Sequence, residues 1–246
     1  MKPNCYDQAM KPYLSTLKLA VSETLWPTRC AICDTPNHLL CKDCWLELPF
    51  IDQYRACPLC GAPFGQGVCC ECNPVSLEQK GFSGIPLDAC VSVFQATPNA
   101  LKLITTYKDR GETRLGRAIA LLLKPCIDPT WPPELIITTI PARKQAKRTR
   151  GFDHMLKIGR ELSAETALPF ISLLDQKESR DQRELTAKER ISNKQDSFFM
   201  KDVGIPSAVL ILDDVFTTGA TLFAAALTLR ESGVSWVGGL TLARVC

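Results

Sequence analysis

From residue 89 onward the chain alternates between two patterns. Short runs rich in apolar and β-branched residues, at 89–94, 135–140, 208–212 and 236–240, predict strands buried on both faces. Between them, apolar residues recur at helical spacing over 100–107, 114–123, 153–168 and 222–230, with Pro125 closing the second helix. This order predicts an α/β fold with a mainly parallel sheet covered by helices on both sides. Upstream, Leu14, Leu17, Ala20, Val21 and Leu25 predict a lead helix over 10–26, closed by Trp26-Pro27. Residues 73–86 hold two prolines and two glycines, which puts a boundary there and predicts two domains, 1–80 and 81–246. Residues 177–193 break the pattern, being of mixed charge and poor in large apolar side chains, and predict a mobile loop.

The first domain holds a cysteine-rich segment of about 45 residues, too short to bury much core. Of thirteen cysteines in the chain, nine fall between Cys30 and Cys72. They form Cys-x-x-Cys knuckles: Cys30 with Cys33, Cys41 with Cys44, Cys57 with Cys60, and Cys72 with either Cys69 or Cys70. The two-residue gap favours Cys69. A disulfide scaffold would need an oxidising compartment, and no address for one is visible. Eight thiolates make two four-sulfur shells, which predicts two structural Zn2+ ions; iron–sulfur, also held by four thiolates, stays open on spacing alone. Sequential pairing (Cys30, Cys33, Cys41 and Cys44, then Cys57, Cys60, Cys69 and Cys72) is preferred over an interleaved cross-brace, because the first gap suffices for a tight hairpin. His38 lies in that gap and reads as an exposed loop residue. In so small a module the metals would supply the folding free energy.

Charge narrows the partners. The net charge of +3 excludes a histone-like chain. No apolar run exceeds six residues, far short of the roughly 20 needed to span a membrane. Asp7, Gln8 and Lys11 interrupt any signal-like core, so the expected location is cytoplasmic, without membrane insertion. Residues 1–80 carry seven bases against eight acids, and two zinc–tetrathiolate centres would bring that half to about −5. The surplus of bases sits in the second half, where Arg143, Lys144, Lys147, Arg148 and Arg150 fall among eight residues with no acid. They follow a strand whose C-terminal end is where open α/β sheets bind ligands. This run is therefore the expected anion or nucleic-acid contact, and the cysteine module is not.

The strongest chemical motif is Ile211-Leu212-Asp213-Asp214-Val215-Phe216-Thr217-Thr218-Gly219-Ala220-Thr221. A buried strand delivers two acids into a small, hydroxyl-rich turn at a helix start, which makes a phosphate cradle. On opposite pleats, one acid would face a ligand while the other holds local backbone or a counter-cation. Neither a Walker A nor a dinucleotide glycine pattern is present.

This string resembles the motif of type I phosphoribosyltransferases, which bind 5-phosphoribosyl-1-pyrophosphate (PRPP). The resemblance implies that Asp213 and Asp214 approach the ribose hydroxyls and that Phe216 to Thr221 hold the 5′-phosphate. It also implies that Ala142, Arg143 and Lys144 form the pyrophosphate loop, that Mg2+ accompanies PRPP, and that 177–193 is a hood over the site. As a whole the chain resembles the ComF/GntX family of competence-related proteins, a double zinc ribbon joined to such a domain. Further marks are Tyr107-Lys108 before Gly111, Arg150-Gly151-Phe152, Gln182, Leu185, Glu189-Arg190, Asn193 and Phe198. The family usually has Asn-Gln after Gly-Phe, where this chain has Asp153-His154, and the spacing near Gln182 is contracted.

The implied function is a competence protein that binds PRPP and handles single-stranded DNA during natural transformation, with the uptake helicase and recombination proteins as partners. The alternative is an active, Mg2+-dependent phosphoribosyltransferase. In that case Asp213, Asp214 and Lys144 would be catalytic, Lys108 and Arg190 would be auxiliary anion contacts, and the acceptor is not readable. Clustered aromatics for base stacking are absent from the sequence pattern, and so is a helix-turn-helix.

Overall fold

The computed structural model describes residues 27–67, 69–142, 144–176 and 197–246, with only the backbone of 144–146. The expected lead helix, the charged segment 177–193, Arg143 and Arg190 lie outside the described residues. The chain divides into two compact units, Met1–Glu47 and Leu48–Cys246.

In the first unit, Arg29 bridges Pro36 in a tight antiparallel hairpin, and Asp34 and Asn37 take left-handed backbone at its turns. A one-turn helix, α1 (Lys42–Leu46), carries Cys44 inward.

The second unit opens with a knuckle segment and then α2 (Pro74–Gln79), capped by Asn73 accepting from the Ser76 N–H. There follow β1 (Ala89–Gln95), α3 (Pro98–Lys108), α4 (Leu115–Leu123) and β2 (Ile136–Thr139). Next come α5 (Lys144–Arg150), α6 (His154–Thr166) and the short strands β3 (Leu174–Gln176) and β4 (Phe198–Met200). The unit closes with β5 (Ala208–Phe216), α7 (Ala220–Glu231) and β6 (Trp236–Arg244).

Four strands form one sheet in the order β1-β6-β5-β2, every pair parallel, and β3 pairs antiparallel with β4. This is the α/β fold the alternation predicts. Val209, Ile211 and Val237 share a core with Leu222, Phe223, Ala225, Ala226 and Leu229 of α7. Their neighbours Leu210 and Leu212 are equally buried, so β5 is covered on both faces. Gly239 lets α7 approach β6 closely, since a Cβ there would lie 2.7 Å from Leu222 Cδ2. On the other side α6 packs on α4, β2 and β5.

Two differences from the sequence pattern matter. β5 and β6 each run four residues beyond the apolar stretch, because their ladder continues to Phe216 paired with Arg244. Both acids of the motif therefore lie inside β5. Residues 144–150 of the basic run, placed only by their position after a strand, form a helix, α5.

Candidate functional site: a phosphate-type loop and two four-cysteine clusters

The C-terminal end of β5 carries Asp213, Asp214 and Val215, all half-buried, and then Thr217 and Thr218, both exposed. Gly219 follows with φ +79°, a left-handed conformation, and caps α7. A side chain there would also collide with the Phe216 ring, at 2.6 Å from its Cζ. The glycine is thus required twice, by conformation and by space. It aims the start of a twelve-residue helix at the turn, where backbone N–H groups and the helix dipole favour an anion.

The two acids differ sharply. Asp214 accepts from its neighbour's Val215 N–H on Oδ1, and its Oδ2 takes both the Lys108 ammonium and His154 Nε2, the latter at 3.2 Å. Burial alone would raise this carboxyl; the His154 hydrogen bond and the Lys108 charge outweigh it and hold the group well below the usual carboxylate range. Asp213 accepts the Asp214 N–H at 2.9 Å. Burial, and then the charge of Asp214, push its carboxyl up to about 8. One acid is thus a fixed anion with its own cation, and the other is protonated near neutrality.

The network continues outward. Arg150 Nη1 lies 3.4 Å from His154 Nδ1, and an arginine can only donate, so Nδ1 accepts and Nε2 carries the proton toward Asp214. Arg150 Nε donates to Asp109 at 3.1 Å, and Tyr107 donates its hydroxyl to the His154 carbonyl at 2.8 Å. Residues 107–109 at the end of α3 and 150–154 at the α5–α6 junction therefore bracket Asp214. Asp153 caps α6 by accepting the Leu156 N–H.

The structure brings together Asp213, Asp214, Val215, Phe216, Thr217, Thr218, Gly219, Ala220 and Thr221, with Lys108 and Arg150 beside them. Ala142 is half-buried after β2, Lys144 opens α5, and Gln176 reaches the carbonyl of Pro141 at 3.0 Å. Lys147 and Arg148 are exposed on α5. Four of the expected anion contacts are thus in different states: Lys108 is paired with Asp214, Arg150 with Asp109, and Lys147 and Arg148 face solvent. His154 was visible in the sequence as a departure from the family pair but had no role assigned. Its partnership with a residue 60 positions away leaves no local signal.

The cysteines assemble as two groups, Cys30, Cys33, Cys41 and Cys44, and Cys57, Cys60, Cys69 and Cys72, each with its sulfurs within 4.8 Å of one another. The sequential pairing is the one formed. Cys69 is the ligand-type cysteine, and Cys70 is exposed outside the group. A zinc ion about 2.3 Å from four sulfurs requires tetrahedral edges of about 3.8 Å. The Sγ–Sγ distances of 3.6 Å (Cys33–Cys41), 3.7 Å (Cys57–Cys72) and 3.6 Å (Cys60–Cys69) meet that requirement. Such spacing suits one ion per group. In the first group the Cys41 N–H donates to Cys30 Sγ, the contact that steadies a thiolate.

Residues 21–73 match the double zinc ribbon domain. The chain is distantly homologous to the competence protein ComFC of Bacillus subtilis, 25% identical over 85% of both chains. It is also 25% identical to ComFC of Streptococcus pneumoniae, over 85% of this chain and 89% of that one. A hypoxanthine phosphoribosyltransferase structure from Staphylococcus aureus aligns with 53% of this chain and 64% of its own, at 19% identity and a TM-score of 0.33, too low to equate the folds. Among the described residues no helix is long and apolar enough to cross a membrane.

Two outcomes follow from this geometry. Protein purified without added metal should carry two zinc ions per chain; Cys69→Ser should lose one of them and Cys70→Ser neither, as read by elemental analysis. The second concerns Asp213, whose folded pKa is raised. Wild-type stability should therefore fall, relative to Asp213→Asn, as pH climbs from about 4, where the unfolded acid ionises, to about 8, where the folded one does. Urea midpoints measured at intervals across that window check the trend, and a difference independent of pH would contradict the assignment.

Proposed function

We propose that this protein is a ComFC-like competence protein that binds PRPP at the turn between β5 and α7 and contacts single-stranded DNA during natural transformation. The observation that carries the reading is the delivery of Asp213 and Asp214 by a buried strand into a threonine–glycine turn at a helix start. Thr217, Thr218 and Thr221 expose hydroxyls there, and the N–H groups of the first turn face the same space. In this reading they hold the 5′-phosphate, and Asp213 takes a ribose hydroxyl. Asp214 acts from behind, keeping Lys108 and His154 in place. Ala142, Arg143 and Lys144 would meet the pyrophosphate, with Mg2+ supplying further charge neutralisation.

DNA contact is assigned to α5. Its exposed Lys147 and Arg148 suit a backbone contact, whereas Arg150 is already engaged with Asp109 and His154. The resemblance to ComF-like proteins implies a place beside the uptake helicase and recombination proteins, and thiol-rich metal sites suit the cytoplasm. The acid pair also favours a second reading, phosphoribosyl transfer. There an acceptor nucleophile forms a bond to C1 of the ribose as the C1–oxygen bond to pyrophosphate breaks. The protein would contribute orientation and charge neutralisation.

Calorimetric titration tests the first claim. Wild type should bind PRPP with Mg2+, and the isosteric pair Asp213→Asn with Asp214→Asn should bind about tenfold more weakly or worse; unchanged affinity would overturn the assignment. Release of pyrophosphate with a nucleobase present would establish transfer. For DNA, Lys147→Ala with Arg148→Ala should weaken binding to every single-stranded sequence tested. It should also flatten the log–log salt slope by about 1.4, at about 0.7 per phosphate contact. Loss restricted to particular sequences, or none, would refute the α5 contact.

A further inference from the structure

Among the described residues, Arg244 at the end of β6 is the one buried lysine or arginine, only 1% exposed. A guanidinium cannot discharge itself, so its burial has to be compensated by nearby charge and acceptors. Its compensation comes from the second cysteine segment. Nη1 donates to the Cys60 carbonyl, Nη2 pairs with Glu71, between Cys69 and Cys72, and Nη2 lies 3.9 Å from Cys60 Sγ. Nε has no partner among the described residues. Four thiolates around one zinc carry a net −2, which would add to the Glu71 carboxylate in compensating the buried guanidinium.

The other face of the guanidinium lies over the Phe216 ring, 4.0 Å from its centroid. Phe216 ends β5, and its ring fills the space beside Gly219 that a side chain would otherwise take. The Val245 N–H donates to the Phe216 carbonyl at 2.9 Å, which fixes the same junction from the backbone side. Direct contacts therefore run from a metal-ligating cysteine through Arg244 and Phe216 to the glycine of the anion turn. All of them fall within one compact unit.

We propose that Arg244 is a positioning residue that makes the second four-cysteine site and the phosphate turn one cooperative element. Metal held by Cys57, Cys60, Cys69 and Cys72 fixes the guanidinium, the guanidinium fixes the Phe216 ring, and the ring fixes Gly219. The inference deepens the PRPP reading and rests on it for its meaning, but its test does not require PRPP.

The test uses the full, metal-loaded chain and two readouts: zinc release to a chromogenic chelator, and amide hydrogen exchange of residues 217–221 by mass spectrometry. Arg244→Met keeps the bulk and removes the charge. It should speed release of one of the two zinc equivalents by about 10- to 100-fold. Exchange in the turn should rise about fivefold or more. Phe216→Leu leaves the metal contacts of Arg244 in place and should speed exchange in the turn while accelerating zinc loss less than Arg244→Met does. Faster zinc loss in Arg244→Met with the turn exchanging as in wild type overturns the proposal. So does unchanged zinc loss, or wild-type exchange in Phe216→Leu. If the wild type binds no PRPP, the proposed function fails, and these two readouts still decide whether the coupling exists.

Discussion

β5 and β6 are the inner strands of a parallel sheet covered on both faces, and that burial dictates where charge can sit. Along most of their length no ionised side chain could be accommodated without a partner. Ser92 and Thr241, buried on neighbouring strands, show the rule by bonding each other at 2.7 Å. Charge becomes affordable only where the strands leave the core. There Asp213, Asp214 and Arg244 all appear, each with its charge matched by a neighbour or, for Asp213, suppressed. The site is the place where a buried sheet first tolerates polarity.

That constraint also explains what could be read from sequence. Fully buried strands write themselves as unbroken apolar runs, so the four strands of the sheet and the helices α3, α4, α6 and α7 were legible in order, whereas α5 and the short pair β3 and β4 were not. The strand ends were not legible either, because Asp213 and Asp214 interrupt one apolar run and Thr241 the other, and the residues beyond them owe their strand conformation to ladder partners distant in sequence. Cysteine knuckles are local and announced themselves, and the two-residue gap already pointed to Cys69 over Cys70, as the assembled group has it. Arg244 carried no signal at all. A single arginine after an apolar strand reads as a solvent-facing terminus, and its partners Cys60 and Glu71 lie more than 170 positions away.

The basic run shows how one charge count can cover two jobs. Five cations in eight residues read as a single patch. The described ones separate into Lys147 and Arg148, open to solvent, and Arg150, spent on Asp109 and His154. A pair of histidine and carboxylate, organised from outside by an arginine, gives Asp214 a fixed charge and a fixed orientation. Pre-set groups of this kind lose little freedom when a ligand arrives.

The strand order has a bearing on how the protein is made. β6 is the latest strand in the chain, yet it lies between β1 and β5, and Ala89 pairs with Gly238. While the ribosome is still synthesising the segments before β6, β1 has no neighbour in the sheet and the inner edge of β5 is bare. The nascent domain must wait, with two apolar edges exposed, for a piece that arrives late; such long-range closure is slow and open to mispairing. The backbone bonds already available to β1 at that stage come from the second knuckle segment: the Ile51 N–H donates to the Val93 carbonyl, and the Cys90 N–H donates to the Pro58 carbonyl. The cysteine-rich segment is thereby cast as a holding partner for the edge strand during synthesis.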